Sequence, residues 1–405
     1  MKELYRIEKD FLGEKNIEIN KYYGIQTLRA KENFDITKTD ISLFPSFIKS
    51  LAKVKKACAL TNYELGDLTD IQKDAIVQAC NEIIDGKFHD QFIVDPIQGG
   101  AGTSTNMNAN EVIANRALEI LGKPKSSYEF IHPNNHINMS QSTNDVYPTA
   151  IKITLHELIF KLKDSLRFLR DCFEEKSIEF KDVLKMGRTQ LQDAVPMTLG
   201  QEFKTFAVMI DDDIYRLRNV QALLKEVNLG ATAIGTGINT KASYQRKVIS
   251  NLREVTGVDY VSAGDLIEAT QDTGSFVHIS GMLKSVAIKI SKICNDLRLL
   301  SSGPRAGFNE INLPPLQPGS SIMPGKVNPV IPEVVNQVAF EVIGADMTIA
   351  MASEGGQLQL NVFEPLIAYK LFTSINMMRR AFYSLGEKCV KGITANEDVC
   401  MENIL

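Results

Sequence analysis

Residues 151–173 read IKITLHELIFKLKDSLRFLRDCF, and within them Leu155, Leu158, Leu162, Leu166, Leu169 and Phe173 recur at steps of three and four. That spacing lays one apolar stripe along an α-helix, whereas a half-buried strand would alternate every second residue. The pattern returns in Phe203, Phe206, Ile210, Ile214 and Leu217, and again in Val286, Ile290, Ile293, Leu297 and Leu300. Proline costs about 3 kcal/mol inside a helix. It is absent between Pro196 and Pro304, and only Pro365 lies beyond Pro332. Those gaps leave room for very long helices, and period-two alternation bounded by turns is hard to find. The expected fold class is all-α, a long central helix bundle. Several apolar positions per turn call for more than one neighbour, which favours a homo-oligomer over a monomeric bundle with thick loops.

The composition around this bundle is that of an ordinary soluble chain: 405 residues, 44% apolar and 23% charged. A formal charge of −4 argues against nucleic acid, because phosphate binding needs a clustered basic surface. An anionic substrate must then be met by a local positive pocket. No run approaches the eighteen or so apolar residues of a membrane span. The opening MKELYRIEKDFLG has no apolar stretch of the kind a secretory signal carries. Six scattered cysteines without a CxxC pair read as reduced thiols of a cytoplasmic protein rather than a disulfide framework or zinc site.

Four stretches rich in Gly, Ser, Thr, Asn and Pro interrupt the helical pattern, at 99–110, 133–148, 187–196 and 301–332. Such loops carry function when a rigid scaffold positions them. The last contains GSSIMPGKVNP, residues 319–329, with free N–H groups, two hydroxyls, an ammonium and an amide. That set suits a carboxylate on which negative charge develops. A phosphate-binding loop fails on spacing, and Val327 stands where Ser or Thr would hold magnesium. A turn with no chemistry stays open on these residues alone. His132 and His136 have the spacing of some zinc helices, but Pro133 lies between them and no third ligand is evident.

GSSIMPGKVNP resembles the signature of the aspartase/fumarase superfamily. GAGTSTNMN (100–108), NMSQSTND (138–145), GRTQLQDAVP (187–196), NLGATAIGTGINT (228–240) and GQLQLNVFEP (356–365) agree with it in order along nearly the whole chain. The resemblance implies elimination across a Cα–Cβ bond with release of fumarate. Loss of a proton beside an ionised carboxylate builds a second charge there, an aci-carboxylate that fixed donors must stabilise. By resemblance, Thr103, Ser142, Thr143 and Ser321 bind the reacting β-carboxylate. Thr189, Lys326 and Asn328 hold the α-carboxylate, Asn144 and Gln190 face the amino group, and Ser320 is the base. A serine base requires that loop N–H groups and Lys326 stabilise its alkoxide.

Gln190 stands where class II fumarases carry histidine, and an amide cannot titrate to help water react. With the flanking sequences, this points to the aspartase branch: carbon–nitrogen lyases that deaminate L-aspartate reversibly to fumarate and ammonia. HPNNHIN (132–138) is closer to the fumarase form of a peripheral anion-binding segment. Fumarate hydration remains the alternative reaction, and a catalytically silent structural homologue the alternative class. The resemblance further implies a homotetramer whose active sites are shared between subunits. It implies no organic cofactor and leaves room for a divalent-cation activator. The domains expected are a mainly helical 1–140, a long-helix bundle over 141–395, and at 396–405 the start of a truncated C-terminal domain. The last follows because such enzymes usually continue beyond the point where this chain ends in MENIL.

Overall fold

A computed structural model describes residues 4–405 and sets a helix wherever the three apolar stripes require one. The chain opens with a hairpin of β1 (Tyr5–Asp10) and β2 (Gly13–Glu18), followed by α1 (Ile25–Asn33), α2 (Pro45–Glu64), α3 (Asp70–Ile84) and α4 (Thr103–Ile120). Then come the 37-residue α5 (Thr143–Glu179), a hairpin of β3 (Leu184–Thr189) and β4 (Gln192–Thr198), and α6 (Leu199–Ala222). Strands β5 (Glu226–Val227) and β6 (Val261–Ser262) bracket α7 (Tyr244–Thr256), and α8 (Leu266–Gln271) and α9 (Gly274–Leu300) follow. After β7 (Ile311–Asn312) the chain runs through α10 (Val330–Glu354), α11 (Glu364–Lys388), β8 (Thr394–Ala395) and α12 (Glu397–Glu402). The architecture is all-α.

All residues of the three stripes are buried. Each such side chain removed from water contributes roughly 1.5–3 kcal/mol. The chain divides into two compact units, each made of three stretches. One holds the residues up to Glu157 with 222–277 and 349–372; the other holds 158–221, 278–348 and 373–405. In the first, α2 packs against α3 and α7, and α3 against α4. There Phe47 meets Tyr147 edge-on at 5.5 Å and Phe372 at 5.2 Å. In the second, Phe173, Phe180, Phe203 and Phe206 interlock with ring centroids 5.2–6.0 Å apart. Among the described residues α10 alone is long and apolar enough to cross a membrane by length and composition, with 33% of its apolar window buried. Phe340, Met347 and Met351 stand exposed on it.

Two expectations change. Strands do occur, as four two-stranded ribbons. Their residues lack clear alternation because neither face of the β3–β4 hairpin rests fully on a core: most of β4 is exposed. The polar stretches at 99–110 and 133–148 are also only partly loop, since α4 starts at Thr103 and α5 at Thr143. Their first turns are dominated by Thr, Asn and Ser, which suit helix starts but carry no apolar period.

Pro148 therefore sits inside α5. It cannot donate to the carbonyl of Asn144 four residues back. Asn228 Nδ2 fills the gap, donating to that carbonyl at 3.0 Å while also reaching Thr270 Oγ1 at 3.1 Å. Asn228→Ala should cost about 1–3 kcal/mol in chemical denaturation, and less when Pro148→Ala has restored the helical donor. Equal costs in both backgrounds would show that Asn228 does not replace the proline's missing bond.

Candidate active site

Two helix N-termini open onto one cleft of about 610 Å³ in the first unit: Thr103 begins α4, and Ser142 precedes Thr143 at the start of α5. Ser142 Oγ accepts the N–H of Asn144 (3.2 Å) as an N-cap, and Asp145 Oδ1 accepts that of Ser142 (3.0 Å), so the helix start is closed from both sides. At α4, Gly102 takes φ +93°, and a Cβ there would lie 2.5 Å from the Tyr147 ring, so only glycine lets the helix start so close. Thr103 Oγ1 donates to the carbonyl of Gly100 at 2.8 Å. None of the fifteen residues lining the cleft is charged. An anion there would be met by hydroxyls, amides and the positive ends of two helices.

Buried groups support this lining. Thr143 Oγ1 accepts from Asn106 Nδ2 (3.0 Å), which also donates to Asn138 Oδ1 (3.0 Å). Lys55, fully buried on α2, donates to Asn138 Oδ1 and Gln141 Oε1, each at 2.9 Å. Burial pushes its ammonium down to about 8 against the attraction of Cys58, Asp145 and Cys80. Asp145 Oδ2 accepts the N–H groups of Gly230 and Thr232, each at 3.0 Å. Burial pushes its carboxyl up to about 6, opposed by the N–H groups of Ser142, Thr232 and Gly230 and by Lys55. Asn144 is held by its Nδ2, which donates to the carbonyl of Ala233 at 2.7 Å.

The other candidates lie in the second unit. Thr189 and Gln190 are exposed at the tip of the β3–β4 hairpin, where Thr189 pairs with Gln192 and Gln190 and Leu191 take φ of +54° and +63°. Positive φ at both turn residues matches the twist of the flanking strands. Residues 315–327 curl around a hollow of about 420 Å³ that Ser320 and Lys326 help to line, and to which Thr189 and Gln190 do not contribute. Its neck is closed by Gly319 N–H donating to the Lys326 carbonyl (2.8 Å) and by Asn328 Nδ2 donating to the Gly319 carbonyl (2.7 Å). A Cβ on Gly319 would sit 2.5 Å from that Lys326 oxygen. Ser320 Oγ accepts the N–H groups of Ile322 (3.2 Å) and Met323 (3.1 Å), donors aimed where an alkoxide's charge would rest. Ser321 is exposed beside it.

His132 and His136 do not present free ligand atoms at Nδ1. His136 Nδ1 accepts the N–H of His132 (2.8 Å), and His132 Nδ1 those of Asn134 (3.0 Å) and Asn135 (3.3 Å). Burial holds both rings below the ordinary histidine range.

A family described as "Lyase" matches residues 13–344. The chain belongs to this lyase family. It is 61% identical over 399 residues to an aspartate ammonia-lyase of Helicobacter pylori, covering 98% of this chain and 85% of that protein. The crystal structure of a fumarate lyase:delta crystallin from Brucella melitensis, bound to cobalt, superposes with a TM-score of 0.97 at 55% identity over 98% of this chain and 87% of that one. A recombinant class II fumarase from Schistosoma mansoni gives a TM-score of 0.95 at 34% identity, covering 99% and 87%.

Lys55 and Asp145 escaped the reading of the lyase sequence. Asp145 had a signal, the S-x-x-D spacing of a capping box. Lys55 had only its place on the inner face of α2. Folded Asp145 keeps its proton to about pH 6, whereas an unfolded aspartate loses it near roughly 4. This group therefore makes the fold lose stability as pH rises across that window, and adds no pH dependence above it. Activity should run the other way, because only the carboxylate can accept all three N–H groups. We expect kcat/KM to fall as pH drops through about 6. In Asp145→Asn that limb should vanish at an activity lowered roughly 10- to 100-fold. An unchanged limb in the variant would assign it elsewhere.

Proposed function

We propose that this chain is an aspartate ammonia-lyase, a carbon–nitrogen lyase that converts L-aspartate reversibly to fumarate and ammonia. One observation carries the reading: identity of 61% to a relative of that name along 98% of the chain. In the proposed steps Ser320, as the alkoxide, takes the Cβ proton, and the C–H electron pair moves into the β-carboxylate. Thr103, Ser142, Thr143 and Ser321 meet the resulting dianion, each donor contributing roughly 3–4 kcal/mol. The pair then returns to form the double bond as the C–N bond breaks. The ammonium group departs with its own three protons as ammonia, so Asn144 and Gln190 have only to orient it. Thr189, Lys326 and Asn328 hold the α-carboxylate, whose charge does not change.

Likeness to a fumarase keeps hydration as the second reading, and the untitratable Gln190 disfavours it. We also propose assembly of copies into a homotetramer with shared active sites, supported by the bare apolar face of α10. Among the described residues no three His, Cys, Asp or Glu side chains are grouped to hold a metal ion. The proposed steps use no cofactor and route nothing through a divalent cation.

Ultraviolet detection should show fumarate released from L-aspartate, with no malate formed from fumarate; malate formation would favour the hydratase. Ser320→Ala should lower kcat by about 10³ with folding intact. Near-normal turnover would remove Ser320 as the base. Lys326→Ala should chiefly raise KM, and an unchanged KM would contradict its assignment to the α-carboxylate.

A further inference from the structure

Glu310 is completely buried ten residues before Ser320, yet it faces substrate in none of the steps above. Its Oε2 lies 3.0 Å from Lys185 Nζ, and its Oε1 2.6 Å from Arg188 Nη1. Neither oxygen meets its cation in hydrogen-bond alignment, so charge attraction dominates. Both cations stand on β3, three residues apart, and in a regular strand residues three apart face opposite sides. Here the ladder shifts register between Met186 and Arg188. A bulge of that kind re-aims the side chains that follow it, which lets both cations converge on one carboxylate.

The rest of the cluster is firmly seated. Lys185 also pairs with Glu202 in the first turn of α6, and the Arg188 guanidinium lies 4.3 Å from the Phe308 ring centre. The two cations face Glu202 and the buried Glu310, and exposed Asp193 lies 4.0 Å from Arg188 Nε. Glu310 is tied through its backbone as well, its N–H donating to the Leu300 carbonyl and its own carbonyl accepting from Asn396 N–H, each at 2.9 Å. A buried charge that loses its partner is strongly disfavoured, so Lys185 and Arg188 cannot drift from Glu310 without cost. Arg188 immediately precedes Thr189.

We propose that Glu310 is a positioning residue: through Lys185 and Arg188 it sets the aim and stiffness of the hairpin tip that presents Thr189 and Gln190. The kinetic consequence rests on the lyase reading. Thr189 then holds a carboxylate whose charge is the same in ground and transition states, so a misaimed tip raises KM more than it lowers kcat.

The chain contains no tryptophan, so Leu191→Trp puts a single indole at the tip. Adding Glu310→Gln in that background should lower the fluorescence anisotropy of the indole while far-UV circular dichroism stays unchanged. In the otherwise native chain Glu310→Gln should raise KM for L-aspartate by about tenfold and change kcat by less than about threefold. Arg188→Gln keeps the Lys185–Glu310 pair and should give the same shifts if Glu310→Gln does not fold, with Arg188→Lys recovering part of the loss. Unchanged anisotropy in the folded variants overturns the proposal whatever the activity. So does a KM within about twofold of the parent's in an active enzyme. Lowered anisotropy in a protein that never turns over aspartate would uphold the positioning role and remove the lyase reading instead.

Discussion

Asp145 has exchanged its water for three backbone N–H groups, and the shape of the uncharged cleft follows from that exchange. One oxygen accepts the N–H of Ser142 at the start of α5; the other gathers the N–H groups of Gly230 and Thr232. The first turn of a 37-residue helix and the 228–240 loop are thereby pinned to one carboxylate. Three N–H donors only partly offset desolvation, which is why the carboxyl still titrates near 6. Lys55 adds an opposite charge from below, transmitted through the amides of Asn138 and Gln141. The site's formal charges sit behind its lining, and the lining carries hydroxyls and dipoles already fixed in place.

This separation suits the proposed chemistry. The β-carboxylate begins with one negative charge and gains a second, so donors aimed in advance at the dianion lower the barrier without reorganising. The α-carboxylate keeps one charge throughout, and a lysine on an exposed loop can bind it uniformly. Lys326 sits on such a loop, shaped by Gly319 and by Asn328 at its neck. Ser320 needs a third kind of environment. Two N–H groups converging on its oxygen favour the charged form of a hydroxyl that water alone would leave protonated.

What the sequence disclosed follows from the range of each interaction. Leu155 to Phe173 announce their helix because the spacing is local and its burial is uniform. The starts of α4 and α5 looked like loop because Thr103-Ser104-Thr105 and Ser142-Thr143-Asn144 carry hydroxyls and amides where an apolar stripe would appear. The family signature brought out Thr103, Ser142, Thr143 and Ser320 as chemistry-bearing residues, but not what stands behind them. Lys55 bonds residues 83 and 86 positions away, and Asp145 reaches 85 and 87 positions ahead. Nothing near either residue names those partners. The strand bulge that turns Arg188 towards Glu310 was equally silent, since a register shift belongs to the pairing of two segments.

The exposed face of α10 bears on the same economy of fixed groups. Phe340, Met347 and Met351 form an apolar surface that a lone chain leaves in water, and a second copy is the partner we propose for it. The helix begins at Val330, directly after the Asn328-Pro329 end of the signature loop. Covering it would immobilise the segment from which that loop departs. Assembly would then do more than bury surface: it would stiffen one root of the loop that holds Ser320 and Lys326, adding a restraint that the hydrogen bonds at the neck cannot provide alone.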